Sequence, residues 1–460
     1  MADNENENEN ILHIGFDDTD SIRGKCTTHF AFEIVNYLKN SNIEFLDYPT
    51  LIRLNPNIPW KTRGNGSVCL RIKINDKKNK NKIIEYIVSQ LEKKSDIENG
   101  ANPGLVILEG LLVPNIIRKF TNNAMFDILT RSKTINIAKK IQNIKYFTFG
   151  NGQGIVGAMA SIGGLIDKSD YTFEIIAYRK SENCNKQRIV DVDKVIKINK
   201  DSFPKTFNNY DEINKRVLIT PHGPDPVFCG IRGENPDIVV KSLEELDIKE
   251  KLEGYMIYRS NQGTNTHLQN ELKLSSLKSY MAGYVYGNIV TKPNTIQGGH
   301  VLFSLQDRSK STAMVAVYEP TGLTRIASKL EQGDKIKIGV GVRKASNEYP
   351  KVLNVEYIDI LNLKSCYNII NPDCKKCGKR MKSEGKNKGY QCKKCGFRDK
   401  NEQKILIEKK RELKENLYIP VAKANRHLTK PKHRYKLGEK IAWSLNRKNK
   451  LHPKWFKILY

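Results

Sequence analysis

The stretch IGFDDTDSIRGKCTT, Ile14 to Thr28, sets an apolar run against three carboxylates, Asp17, Asp18 and Asp20, with Thr27 and Thr28 seven residues beyond them. Like charges this close raise one another's pKa unless a cation sits among them. The cluster asks for a divalent metal, or for a phosphate carried by one. Solvated aspartates in a turn are the plain alternative.

The flanking residues place the cluster in a strand–loop–helix unit. ILHIGF has strand length, and FAFEIVNYLKN carries Phe30, Ala31, Ile34, Val35 and Leu38 at helical spacing. Thr27 and Thr28 lie where an N-cap belongs, so hydroxyls and free backbone N–H groups face whatever the aspartates hold. LDYPTLIRL and SVCLRIKI read as strands around the loop NPNIPWKTRGNG, whose Lys61, Arg63, Gly64 and Gly66 suit phosphate as well as a plain turn. A helix (NKIIEYIVSQLEKK), a strand (GLVILEG) and one long helix over about 116–141 complete an α/β unit.

Gly152, Gly154 and Gly157 match GxGxxG with Glu174 about 20 residues on, but no regular βαβ succession surrounds them. Glycines there serve any close backbone approach to a phosphate or base. No GxxxxGK[ST] occurs, which excludes a P-loop ATPase. TPHGPDPVFCGIRGE reads as an irregular binding loop bearing His222, Asp225 and Arg232. From SYMAGYVYGNIV to GDKIKIGVGVR, short alternating strands suggest an OB-type barrel for oligonucleotides, or a structural sandwich.

CKKCG occurs twice, giving Cys374, Cys377, Cys392 and Cys395 as CxxC, fourteen residues, CxxC. Four thiolates so spaced close a tetrahedral, structural zinc site. The other five cysteines are scattered, which is not a disulfide framework and fits a reducing compartment. The net charge is +28, of which the last 95 residues carry about +20, a C-terminal surface suited to a polyanion. Beyond the ribbon, EKKRELKENLYIP reads as a charged helix and ANRHLTKPKHRYK as a basic tail, solvated or RNA-contacting, interleaved with Tyr418, Tyr435, Trp443 and Trp455. The opening MADNENENEN is acidic and repetitive, a disordered leader without signal-peptide character, and no apolar run reaches the ~20 residues of a membrane span. A cytoplasmic protein is expected.

In order along the chain, GFDDTDSIRGKCTT, RLNPNIPWKTRGNG, GNGQGIVGAMASIG, TPHGPDPVFCGIRGE, RSNQGTNTHL, GGHVLFSLQD, the zinc ribbon and RHLTKP together resemble the archaeal isoleucine-tRNA 2-agmatinylcytidine synthetases from Ile11 to about Tyr435. The resemblance implies a multidomain α+β protein. Its parts are an α/β kinase-like catalytic domain (11–150), a ferredoxin-like domain (151–268), an OB-fold barrel (269–365), a zinc ribbon (366–402) and a basic C-terminal extension (403–460), after the leader (1–10).

It implies an ATP-dependent ligase that joins agmatine to C2 of the wobble cytidine of an isoleucine tRNA with a CAU anticodon. The cytosine oxygen is phosphorylated, AMP and phosphate are released, and no obligate protein partner is needed. On this reading Thr27 is the phosphorylated hydroxyl, and Asp17, Asp18 and Asp20 hold Mg²⁺. Thr28, Gly24, Lys61, Arg63, Gly64, Asn65, Gly66, Gly152 and Gly154 contact ATP, and Asp225 and His222 are candidates for agmatine. Arg426, His427, Lys430, Lys432 and Arg434 contact tRNA. Two other classes compete: a metal-dependent phosphotransferase on another RNA or small molecule, and a nonenzymatic single-strand-binding protein.

Overall fold

The computed structural model describes residues 10–62, 64–166, 169–437 and 450–459. The expectations on the leader through Glu9, on Arg63 and on Trp443 lie outside the described residues.

The run that opens the chain becomes β1 (Ile11–Asp17), whose Leu12, Ile14 and Phe16 are fully buried. A strand without a solvated face belongs in the middle of a covered sheet. It lies between β4 (Gly66–Ile74) and β5 (Gly104–Glu109), antiparallel to both. β2 (Ile43–Phe45) and β3 (Thr50–Arg53) pair with β4, and β6 (Ile144–Thr148) pairs with β5. Helices α1 (Thr27–Lys39) and α2 (Asn79–Lys94) contribute to the core on one face. Helices α3 (Asn115–Phe126), α4 (Arg131–Ala138) and α5 (Ile155–Ile162) close the other. The single long helix expected over 116–141 is thus two, because Thr130 takes the Lys133 N–H on its hydroxyl and starts a new helix.

The sheet continues into the second domain. β3 pairs parallel with β12 (Leu252–Ser260), which carries β7 (Thr172–Arg179), β11 (Val227–Gly233) and β8 (Thr206–Phe207) beyond it. β11 corrects the reading of residues 220–234 as wholly irregular. Past the prolines, Phe228, Cys229 and Ile231 are buried, and the segment joins the ladder. One apolar core includes Leu12, Ile14, Phe173 and Ile257 together, so the two halves share an interior.

At the seam, Asp47 is fully buried between two arginines. It lies 3.2 Å from Arg71 Nη1 and accepts from Arg259 Nε at 3.1 Å. Arg71 Nη2 also donates to the Ile162 and Gly164 carbonyls at 3.1 and 2.9 Å, and Arg259 Nη1 donates to the Leu165 carbonyl at 3.0 Å. Both guanidiniums therefore sit on the carbonyl end of α5, where cations are favoured.

Residues 282–360 form a closed five-strand barrel: Ala282–Ile289, Lys335–Arg343, Val352–Asn362, Thr312–Val317 and Val301–Gln306, returning to the first. The expected charged helix after the ribbon is absent. Ile405–Lys409 is a strand paired with Cys366–Ile370, and Leu417–Tyr418 adds to the barrel. Arg411 reaches back to Asp334 (2.7 Å) and Leu413 enters the barrel core, so tertiary contacts override the helical charge pattern.

The tail is not a free basic arm. Arg434 is fully buried against Asp170 (2.7 Å) and Glu234 (2.5 Å), and Lys430 pairs with Asp170 at 2.8 Å. The final strand, Phe456–Ile458, pairs with β12 and packs Trp455 against Phe45 and Phe456 against Phe32.

Removing one partner of a buried ion pair leaves an uncompensated charge and costs about 3–5 kcal/mol. An Asp47→Ala variant is therefore expected to lose about that much in urea unfolding, while Lys197→Ala, which breaks the exposed pair with Asp201, is expected to leave the unfolding midpoint unchanged within error.

Candidate active site

β1 ends at Asp17, and the loop to α1 carries the remaining acidic and hydroxyl groups. α1 begins at Thr27 itself. Its cap residue is Cys26, extended and without a side-chain cap, so the expectation that Thr27 and Thr28 serve as N-caps is corrected by one position. Their hydroxyls bond within the loop instead. Thr19 Oγ1 donates to Thr27 Oγ1 at 3.1 Å, and Thr28 Oγ1 lies 3.1 Å from Cys26 Sγ. Tyr258 of β12 donates its hydroxyl to the Thr28 carbonyl at 2.6 Å and meets Tyr178 at 2.8 Å, so the second half of the sheet fixes the start of α1.

The three aspartates do not converge on one point. Asp17 and Asp18 line a cleft with Leu54, Ile58, Trp60 and Lys61. Asp20, buried, accepts the Thr62 hydroxyl at 3.1 Å and faces a second cavity of about 460 Å³. Thr62 and Asn65 line both spaces, so the two adjoin there. Loss of solvent in the cleft pushes the Asp17 carboxyl well above the usual carboxylate range, with the Asp18 and Asp20 charges adding to it. Loss of solvent, then the charge of Asp20, raises Asp18 to about 6.

The glycine run has a packing reason. A Cβ on Gly157 would lie 1.8 Å from Asp17 Oδ2, and one on Gly154 would lie 2.8 Å from the Asp17 carbonyl and 2.6 Å from Gly104 N. Helix α5 thus rests directly on the aspartate that ends β1. Gly152, at φ +72°, turns the chain into it. The acidic residue that made a dinucleotide site worth considering, Glu174, points elsewhere, into the second cavity.

That cavity gathers Thr27, Thr28, Gly64, Asn65 and Gly66 with His222 and Asp225 from the proline-rich loop and His427 from the tail. His222 lies 2.5 Å from Arg216 Nη2. Asp225 accepts the Val227 N–H and lies 3.5 Å from Arg188. Gly24 opens on a neighbouring hollow on the outer side of Cys26, apart from these residues. Of the basic tail, Lys432 is exposed, Arg426 pairs with Glu356 at 3.2 Å, and Arg434 and Lys430 are committed to Asp170. Arg434 is therefore corrected from an RNA-facing cation to a buried structural one.

Sequence reading passes over Arg53 on β3 and marks Glu174 on β7 only as the acidic partner of a dinucleotide motif, yet both line the cavity. Arg232 Nε meets Glu174 at 3.0 Å, and its Nη2 donates to His427 Nδ1 at 2.9 Å. The available signal is a charge inside an otherwise apolar strand, TLIRL and YTFEIIAYR.

In the ribbon, Cys374 and Cys395 sulfurs are 3.5 Å apart, as are those of Cys377 and Cys392. Four donors lie within 4.8 Å of one another, the only such group of three or more potential ligands among the described residues. Tetrahedral thiolates at ~2.3 Å from a zinc ion sit about 3.8 Å apart, so the cage is of the right size. The Cys395 N–H pulls the Cys392 thiol down to about 6.

A carboxylate-walled cleft beside a hydroxyl-bearing cavity, with an OB-type barrel and a four-cysteine ribbon attached, defines a group-transfer enzyme built around a nucleic-acid-binding frame. Family models described as the TiaS TCKD domain, the TiaS FLD domain and the TiaS C-terminal zinc ribbon domain match residues 13–151, 152–267 and 371–413. The curated isoleucine-tRNA 2-agmatinylcytidine synthetase TiaS of Cenarchaeum symbiosum is 41% identical over 91% of this chain and 92% of its own. That of Methanocaldococcus jannaschii is 36% identical over 92% and 98%. Among solved structures, the complex of TiaS with its isoleucine tRNA and ATP superposes with a TM-score of 0.82 at 29% identity, covering 94% of this chain and 99% of that one. The complex of TiaS with the same tRNA, AMPCPP and agmatine gives 0.79 at 27%, with the same coverage. The chain belongs to the TiaS family of isoleucine-tRNA 2-agmatinylcytidine synthetases.

A carboxyl whose pKa is raised in the fold binds more protons folded than unfolded, so without a divalent cation it costs stability as pH rises from about 4 through 6. Asp18 has φ +60°, which asparagine tolerates. Asp18→Asn is expected to raise the metal-free melting temperature at pH 7, by the equivalent of about 3 kcal/mol, and to have little effect at pH 4. A scan at both pH values in chelator checks this.

Proposed function

We propose that this protein is an ATP-dependent ligase that joins agmatine to C2 of the wobble cytidine of an isoleucine tRNA with a CAU anticodon, acting in the cytoplasm. The observation that carries the reading is that a cleft walled by Asp17 and Asp18 adjoins, at Thr62 and Asn65, a cavity that contains Thr27. The relatives at 36–41% identity bear that name, and solved relatives are titled as complexes with the isoleucine tRNA, ATP and agmatine.

In this reading the adenosine end lies against Leu54, Ile58 and Trp60, and the polyphosphate runs past Lys61, Asn65 and the N-terminus of α5 toward Thr27. Asp17 and Asp18 suit magnesium. This ion commonly takes one or two carboxylates and completes its shell with phosphate oxygens and water, which fits two aspartates on one wall better than a three-carboxylate cage. The ion supplies neutralisation of the polyphosphate charge. Asp20 holds the Thr62 hydroxyl and with it the loop of Gly64 to Gly66.

Thr27 accepts a phosphoryl group from ATP and passes it to the cytosine oxygen, and water cleaves the remaining anhydride bond of the nucleotide, so that AMP and a second phosphate are released. The cytosine C2 oxygen is a very poor leaving group until it carries phosphate. Agmatine's primary amine, deprotonated at a pKa near lysine's ~10.4, then attacks C2 and the oxygen departs as phosphate. The cavity rim at His222 and Asp225 is where agmatine enters. An unpaired anticodon base reaches the cavity at small cost. The barrel and the ribbon, with zinc in its four-cysteine cage, grip the tRNA body, and the exposed Lys432 adds charge to that surface.

The test mixes protein, ATP, Mg²⁺ and isoleucine tRNA with and without agmatine. AMP formation that requires both tRNA and agmatine is expected. ADP formation indifferent to both would instead identify a different phosphotransferase. Thr27→Ala is expected to retain tRNA affinity and to lose on the order of a hundred-fold or more in turnover. Metal analysis is expected to give one zinc per chain, and Cys374→Ser to weaken tRNA binding while leaving ATP binding intact.

A further inference from the structure

The wall of the Thr27 cavity carries an arginine whose guanidinium is not fully hydrogen-bonded. Arg53 and Arg232 both project into it. Glu174, buried at 3% exposure, is the carboxylate that answers them. One of its oxygens takes Arg232 Nε, and the other takes the Gln262 amide. Arg53 Nε is inaccessible and has no hydrogen-bond partner among the described residues. Of the other acidic groups on the cavity, Asp20 takes the Thr62 hydroxyl and its charge also acts on Arg53, and Asp225 lies against Arg188 and the Val227 N–H.

The glycine loop is shaped around this arginine. A Cβ on Gly64 would lie 2.3 Å from Arg53 Nη1, and one on Gly66 would lie 2.7 Å from the same atom. Any side chain there would displace the guanidinium, so the loop gives up two side chains to seat one cation. His427 completes the group. Its Nδ1 accepts from Arg232, so the neutral ring keeps its proton on Nε2, which faces Gly64 at 3.2 Å from where a Cβ would stand. The Arg53 charge, with burial and the charges of Arg232 and Lys61, holds His427 well below the usual histidine range and keeps it neutral.

Two guanidiniums and one imidazole N–H thus converge on a space shared with Thr27 and Thr28. A guanidinium N–H left unbonded out of water is costly, and persists when an anion completes its hydrogen bonding. Guanidinium forks match the oxygens of phosphate. We infer that Arg53, Arg232 and His427 form the receptacle for a phosphate monoester, the phosphoryl group in transit between Thr27 and the cytosine oxygen. The other source of the same chemistry is a backbone phosphodiester of the tRNA anticodon loop. A dianion matches two guanidiniums better than a monoanion, and the shared cavity with Thr27 favours the group in transit. This assignment rests on the ligase reading for the identity of the phosphate, while phosphate affinity itself does not.

The experiment has two arms on the full-length chain. In the first, inorganic phosphate is titrated into protein free of tRNA and ATP and followed by melting temperature and ³¹P linewidth. Binding is expected in the wild type, weakened roughly ten-fold or more in Arg53→Gln and Arg232→Gln and largely restored in Arg53→Lys. In the second, single-turnover agmatine ligation is measured at saturating tRNA. Both glutamine variants are expected to lose on the order of a hundred-fold in rate with tRNA affinity unchanged within about two-fold.

Unaltered phosphate binding in both variants overturns the inference. So does a loss confined to tRNA affinity, which would assign the site to the nucleic-acid backbone. If Arg53→Gln fails to fold, Arg53→Lys and Arg232→Gln carry the same comparison. A wild type that ligates agmatine but does not bind phosphate refutes the receptacle alone. A wild type that binds phosphate and does not ligate refutes the ligase reading alone.

Discussion

Asp47 is the residue on which the catalytic half is hung. It lies fully buried in the loop before β3 and bonds Arg71 of the first domain and Arg259 of the second. Arg71 then takes the last carbonyl of α5 and that of Gly164, and Arg259 takes that of Leu165 just beyond it. Two cations at a helix C-terminus offset its partial negative charge, and the carboxylate between them removes most of the cost of burying them. The far end of α5 rests on Asp17 through Gly154 and Gly157 with no room for a Cβ. A single carboxylate thus sets both the seam between the two domains and the distance from α5 to the aspartate that ends β1.

The same seam positions the threonine helix. β12 pairs parallel with β3, and its Tyr258 reaches across to the Thr28 carbonyl. The chain's last strand then occupies β12 at Gly254–Met256, with Phe456 against Phe32 of α1. The start of α1 is therefore specified from three directions: its own loop, the second domain, and the C-terminus. This explains why residues 450–459 fold back into the first half of the molecule rather than extending the basic tail toward RNA.

Much of this is legible from residue order. β1, α1, the barrel strands and the cysteine cage follow from local periodicity and spacing, which need no knowledge of distant partners. The errors have one cause. Local composition misleads at Arg434, Arg411 and the segment Val227–Gly233 because their states depend on Asp170, Asp334 and β7, as much as 264 residues away. A basic run looks solvated until its counter-charges are located, and a proline-rich stretch looks irregular until a strand edge accepts it. Asp17, Asp18 and Asp20 illustrate the same limit. Their proximity in sequence is plain, but the left-handed Asp18 sends its neighbours to different spaces.

The division of that trio has a chemical consequence. Were all three carboxylates on one ion, Thr27 would face a site of net negative charge, and an incoming phosphoryl oxygen would be repelled. With Asp20 turned to Thr62, two carboxylates remain in the cleft where a polyphosphate brings its own cation, and the cavity beyond Thr62 and Asn65 sets Arg53, Arg232 and the neutral His427 beside Glu174 and Asp20. Along this path two guanidiniums enter the wall among the carboxylates. This placement supplies partners for phosphoryl oxygens on the Thr27 side. It is set by which side of a glycine loop each side chain falls on, and the bare Gly64 and Gly66 are what allow Arg53 to lie there.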